Sequence, residues 1–242
     1  MNTYPLEVRN GHFLATIDER RWLVDTGCPV CIGTGSLTIR GTRIVLRPPV
    51  AGFDPEPLTE LTGVPVAGVL GTSVLFAEGC CIDAPNGTLT LGSDGMEGPP
   101  VPGGLETIFG RGIHILETKL HGKSVRLAVD TGAPLGYMLK ERATALPPSG
   151  ERRRDFIAMS GQWHETPTWM LDLELGGTPK SFRWGILPDD LDAHLGAAGV
   201  DGIFGGELCL HQALTFSPGG RGLWVGQALV QSDAPVPEGG CQ

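Results

Sequence analysis

Positive charge is scarce in this chain. Eighteen Lys and Arg stand against 27 Asp and Glu, for a net charge of −9 over 242 residues. Binding a phosphate backbone takes a surplus of cations, so nucleic acid is not an expected partner. Long apolar runs are missing too: none reaches the roughly 18 residues of a membrane-spanning helix, and no membrane is expected. The N-terminal Met1-Asn2-Thr3-Tyr4-Pro5-Leu6-Glu7 has neither the basic nor the apolar region of a secretion signal. A cytoplasmic location follows as the expectation. The six histidines (12, 114, 121, 164, 194, 211) show no metal-ligand spacing, and neither G-x-S-x-G nor a phosphate-binding loop occurs. No metal and no cofactor is expected. Cysteine is limited to positions 28, 31, 80, 81, 209 and 241. One C-x-x-C, Cys28-Pro29-Val30-Cys31, lies among Gly and Pro rather than before a helix, so structural thiols are the favoured reading over a redox site.

What the chain does have is turns. Its 37 glycines and 20 prolines approach a quarter of the residues, just under the roughly 25–30% that signals disorder. Leu, Ile, Val and Phe make up about a quarter as well, above the roughly 20% below which no core forms. Short apolar stretches bounded by Gly and Pro predict strands at 12–17, 36–39, 43–46, 113–120, 124–129 and 170–175. Helix signals are brief, at 56–61, 139–146, 188–195 and 207–212. The one basic run, Arg152-Arg153-Arg154 between Glu151 and Asp155, reads as a solvated loop.

The chain also repeats itself. Trp22-Leu23-Val24-Asp25-Thr26-Gly27-Cys28-Pro29 returns as Leu127-Ala128-Val129-Asp130-Thr131-Gly132-Ala133-Pro134. Each copy is followed by a short helix signal and an apolar-apolar-Gly triplet, Val69-Leu70-Gly71 and Ile203-Phe204-Gly205. Each half then closes on a hairpin pattern, 81–92 with an Asn-Gly turn and 214–226 with a Gly-Gly turn. Three blocks in one order, twice, indicate a tandem duplication of a unit of about 100 residues. The expected organisation is an N-terminal lobe over 1–97, a linker over 98–104, a C-terminal lobe over 105–230 and a flexible tail over 231–242.

An apolar strand that delivers Asp to a tight Thr-Gly turn can be purely structural. Two copies on duplicated lobes are a different matter, because a pseudo-twofold axis would bring the aspartates face to face. Adjacent buried carboxyls cannot both ionise cheaply, so the pair holds one proton over a wide pH range. It then offers an acid and a base side by side, the equipment for adding water to an amide. Asp83, Asp172 and Asp201 lie beside turns or strands and read as local hydrogen-bonding groups.

On these residues the chain resembles the pepsin/retropepsin superfamily of aspartic proteases over roughly residues 5–230, in the manner of a single-chain, tandem retropepsin. The resemblance implies a mostly β, two-lobed acid-protease fold with closed, barrel-like lobes. It implies that Asp25 and Asp130 are the catalytic dyad. It further implies that Thr26 and Thr131 interlock the loops, that Gly27 and Gly132 admit substrate backbone, and that the apolar-apolar-Gly segments pass behind the loops. A covering hairpin fits only the second half, where Asp130 and Gly205 are 75 residues apart against 46 between Asp25 and Gly71. That hairpin is expected over 155–171, with Ser160 and Gly161 near its tip and Trp163 as a candidate substrate-facing aromatic.

After the dyad glycines stand Cys28 and Ala133, a weak donor and none. The carboxyls should therefore be less acidic than a neighbouring hydroxyl would make them, which predicts a mildly acidic to neutral optimum. Cys28 beside the dyad is also expected to make activity sensitive to thiol reagents. Two readings remain open: a monomeric aspartic endopeptidase acting on peptides or proteins, and a peptide-binding or regulatory module that kept the fold, suggested by the reduced first flap.

Overall fold

A computed structural model of the chain describes residues 1–49, 55–108, 110–157, 162–175 and 177–226. The predicted tail at 231–242 and the positions Ser160 and Gly161 lie outside the described residues. The first repeat runs β1 (Asn2–Arg9), β2 (His12–Ile17), β3 (Arg20–Val24), β4 (Ile32–Gly33), β5 (Ser36–Ile39), β6 (Thr42–Val45), α1 (Pro55–Thr62), β7 (Gly68–Leu70), α2 (Thr72–Leu75), β8 (Cys80–Asp83) and β9 (Thr88–Leu91). The second runs β10 (Gly103–Ile108), β11 (Arg111–Leu120), β12 (Lys123–Val129), β13 (Gly136–Met138), α3 (Lys140–Ala143), β14 (Glu151–Ile157), β15 (Gln162–Leu175), β16 (Thr178–Ile186), α4 (Asp189–Ala197) and β17 (Gly202–Phe204). A 3₁₀ turn at Gly206–Cys209 leads to β18 (Ala213–Phe216) and β19 (Leu223–Gly226).

The strands form a nine-stranded and an eight-stranded sheet, each curled into a half-barrel lobe, plus the small β5–β6 ribbon. Corresponding strands repeat the same pairings. β3 runs parallel to β7 with Leu23 opposite Val69, and β12 runs parallel to β17 with Ala128 opposite Ile203. β4 and β13 cap those pairs on the far side, antiparallel. Near-continuous apolar runs suit such strands because both faces are buried.

The two halves meet most directly at the seam. β8 and β18 are counterparts in the repeat, and they pair with each other, antiparallel, Ile82 opposite Leu214 and Cys81 opposite Thr215. The closing hairpin of the second repeat is thus built into the sheet of the first. All eight residues of this pair are buried, which accounts for adjacent Cys80 and Cys81 both being inside although their side chains leave opposite faces. One apolar core spans both repeats, from Phe13 and Trp22 to Trp184, Phe204 and Phe216. Phe216 lies 4.8 Å from the Phe76 ring and 5.7 Å from His114. Burying such a ring contributes roughly 2–3 kcal/mol. The segment before β10 is fastened as well, with Val101 N donating to Leu223 O and Trp224 Nε1 donating to Gly98 O.

Helix signals shrank where propensity lacked a long amphipathic face to bury. The 139–146 signal is one turn, α3, and the 207–212 signal is the 3₁₀ turn. The Arg152–Arg154 run is solvent-exposed, as read, but it is strand β14 rather than a loop. Arg152 pairs with Glu165 across the hairpin at 2.8 Å, a contact that supports a strand, and Arg153 pairs with Glu151 two residues back on β14 itself at 2.9 Å.

Candidate active site

Each Asp-Thr-Gly turn sits at the end of a central strand, β3 or β12, with the apolar-apolar-Gly strand directly behind it. Asp25 N donates to Leu70 O at 3.1 Å, and Asp130 N donates to Phe204 O at 3.0 Å. Thr72 N donates to Cys28 O, and Gly206 N donates to Ala133 O. These bonds fix both turns to the lobes. The glycine of each triplet is forced: a Cβ on Gly71 would lie 2.3 Å from Val30 O, and one on Gly205 1.7 Å from Leu135 O.

The two turns interlock across the pseudo-twofold axis. Thr26 N donates to Thr131 Oγ1 at 3.1 Å, and Thr131 N donates to Thr26 Oγ1 at 3.0 Å. Each hydroxyl passes its own proton to the opposite strand, Thr26 to Val129 O and Thr131 to Val24 O. All four bonds are buried, so breaking one strands a partner at a cost of about 1–3 kcal/mol.

This grip sets the aspartates side by side. Asp25 Oδ1 accepts from Gly27 N at 2.9 Å and Cys28 N at 2.8 Å, and Asp130 Oδ1 accepts from Gly132 N at 2.9 Å. Each carboxyl acts on the ionisation of the other. Burial first, then the charge of Asp130, pushes Asp25 well up, against the pull of the backbone N–H groups. Burial raises Asp130 too, offset by its donors. A pair of this kind retains one shared proton.

The dyad opens on a cavity of about 400 Å³ with matching apolar walls. Leu23, Ile32 and Leu58 line it from the first repeat, and Ala128, Leu195 and Ile203 from the second. The 75-residue spacing is spent on the hairpin β14–β15, in register from Glu151 opposite Thr168 to Ile157 opposite Gln162. Its cavity-lining aromatic is Phe156. Trp163 is not among the lining residues: it packs edge-on against Phe156 at 5.4 Å and beneath the Arg154 guanidinium at 3.8 Å. Arg154 also pairs with Glu60 of α1 at 3.5 Å, tying the hairpin to the opposite repeat. The β5–β6 ribbon of the first repeat is shorter and turns Leu37 and Ile39 into the core.

The surroundings of Cys28 oppose the expected thiol sensitivity. The Cys28 thiol is buried and donates to Val30 O at 3.2 Å. Burial and the Asp25 charge push it up to about 12, so it carries almost no thiolate and little reactivity. Cys31 is free and buried, and it accepts from Gly71 N at 3.4 Å. The C-x-x-C pair packs the base of the site. Asp83 is a local acceptor, for Asn86 N, whereas Asp201 accepts from Arg126 N and pairs with Arg142, both distant in sequence.

Sequence reasoning missed Tyr137 and Asp155. Both line the cavity and both are buried. Tyr137 Oη donates to Asp155 Oδ2 at 2.6 Å. Burial, more than any neighbour, raises Asp155 to about 6. The available signal is a break in the repeat: seven residues past the aspartate, the first half has Ile32 and the second Tyr137.

No family model and no curated protein matches the chain. Among solved structures it is similar to the crystal structure of aspartic proteinase from Irpex lacteus, with a TM-score of 0.53 and 14% identity over 96% of this chain and 98% of that one. The fold is that of the two-lobed aspartic proteases. At this identity the likeness concerns the fold, and what the site does is argued from its own geometry.

Proposed function

We propose that the chain is an aspartic endopeptidase that hydrolyses peptide bonds with Asp25 and Asp130. The observation that carries this reading is the reciprocal packing of each turn on the opposite carboxyl. A Cβ on Gly27 would fall 2.4 Å from Asp130 Cγ, and one on Gly132 2.5 Å from Asp25 Cγ. A turn that served only its own lobe would have no need of a glycine against the other lobe's aspartate.

In the proposed reaction the ionised carboxyl takes a proton from water as its oxygen attacks the peptide carbonyl carbon. The protonated carboxyl gives its proton to the carbonyl oxygen, leaving a tetrahedral diol. Collapse moves a proton to the amine, the C–N bond breaks, and the dyad returns to its one-proton state. The substrate lies extended beneath β14–β15, and the paired apolar walls favour apolar side chains flanking the cut. One chain carries both aspartates, so a monomer suffices, acting on peptides or proteins.

The test is cleavage of a mixed fluorogenic peptide library by wild type, Asp25→Asn and Asp130→Asn. Wild-type cleavage with a loss of at least about 10³-fold in each variant supports the reading, since residues acting as a unit fail together. Cleavage that survives in both variants overturns it. Peptide binding by all three proteins without turnover replaces it with the binding-module reading.

A further inference from the structure

The insertion that distinguishes the second repeat brings a third carboxyl to the dyad. Asp155 is 3% exposed, lines the same cavity as Asp25 and Asp130, and has no counterpart in the first repeat. Its two oxygens are held, Oδ2 by Tyr137 Oη and Oδ1 by Phe156 N at 2.7 Å. Both bonds are donations to it, and they favour its charged form. Tyr137 belongs to β13, which continues from the Asp130 turn, so the bond ties the covering hairpin to the dyad wall. The charge of Asp130 is felt at both Asp155 and Tyr137.

We propose that Asp155 is a positioning residue of the site, anchoring the covering hairpin through Tyr137 and holding the dyad's shared proton in place toward neutral pH. This rests on the peptidase reading above. A negative charge on the wall of the cavity that holds a one-proton pair makes removal of that proton harder, because the product would hold three anions around one buried space. The other charged groups around Asp155 do not cancel it. His164, opposite in register, points a ring nitrogen at Ile186 O at 2.9 Å. The neighbouring Arg154 is engaged with Trp163 and Glu60. Arg47 and Arg111 line the cavity but are largely exposed, where solvent screens them.

Asp155→Asn removes the charge and keeps an oxygen for Tyr137. The alkaline limb of the kcat/KM profile should then fall by about one pH unit, a tenfold loss above the limb relative to the variant's own acid plateau. An unmoved limb overturns the proposal. A second measurement needs no variant and no turnover: ¹³C titration of the wild-type Asp carboxyls. Asp155 should titrate in inflections shared with Asp25 and Asp130. A single Asp155 step near pH 4 overturns the proposal whatever the activity. Shared inflections without turnover would sink the peptidase reading while leaving the three-carboxyl coupling standing.

Discussion

Thr26 and Thr131 each accept a hydrogen bond from the other's backbone N–H, at 3.0 and 3.1 Å, and each hydroxyl donates to the strand of the opposite half. The geometry of the dyad therefore depends on two hydroxyls that never touch substrate. Thr26→Val keeps the shape and deletes the hydroxyl, leaving Thr131 N and Val129 O buried without partners. Unfolding in urea should show a loss of about 3 kcal/mol, and Thr26→Ser should recover most of it. Equal stability of Thr26→Val and wild type would contradict the grip.

Gly27→Ala puts a methyl group onto the Asp130 carboxyl. Turnover should fall by at least about 10²-fold, since small misplacements at a reacting centre are costly. Gly150→Ala, where a Cβ meets nothing within 4 Å, is the control and should keep near-wild-type kcat/KM.

Native alkylation followed by mass spectrometry of the Cys28 peptide should show almost no modification at pH 8. A thiol near 12 has roughly a thousandth of the thiolate of a free one. Rapid labelling of Cys28 with parallel loss of activity would restore the thiol-sensitive reading.

His12 supplies a pH dependence of stability. It is 1% exposed, and burial, offset only in part by a hydrogen bond to the Gly132 backbone, holds it down at about 4. The unfolded chain takes up this proton near pH 6.5 and the folded one only near 4. Stability is therefore full above 6.5 and falls as pH drops toward 4, by ~2–3 kcal/mol. His12→Gln should flatten this slope between pH 7 and 4.5 in denaturant titrations. A slope unchanged by the substitution would assign the acid loss to other groups.

The Arg154–Glu60 pair is more than half exposed on both sides. Exposed pairs contribute little. Glu60→Ala should alter KM by less than about fivefold and leave kcat unchanged, and raised salt should mimic it. A large drop in kcat would mean that the pair does more than help close the hairpin.

The aspartates and the asymmetry of the halves were legible because the sequence carries its own comparison: the same motif twice, then 46 residues against 75. Tyr137 and Asp155 were not legible for a physical reason. Asp155 adjoins three arginines in sequence, which reads as surface, and it becomes buried only when β14 folds back over the cavity. Trp163 is a larger aromatic than Phe156 and sits opposite it in register on the same face, yet it packs against Phe156 and the Arg154 guanidinium while Phe156 lines the cavity. The β8–β18 pairing joins positions 132 residues apart at Ile82 and Leu214, and no local pattern reports such a contact.

That pairing also has a consequence for the order of events in synthesis. Strand β8 is made in the first third of the chain, but its outer neighbour emerges only with residues 213–216. Until then the first repeat presents an open, apolar strand edge, a template for mispairing with other chains. Folding from the N-terminus cannot be completed repeat by repeat. The hairpin β18–β19 closes the sheet that β1 and β2 began, and nascent chains stalled before residue 213 should be the aggregation-prone ones.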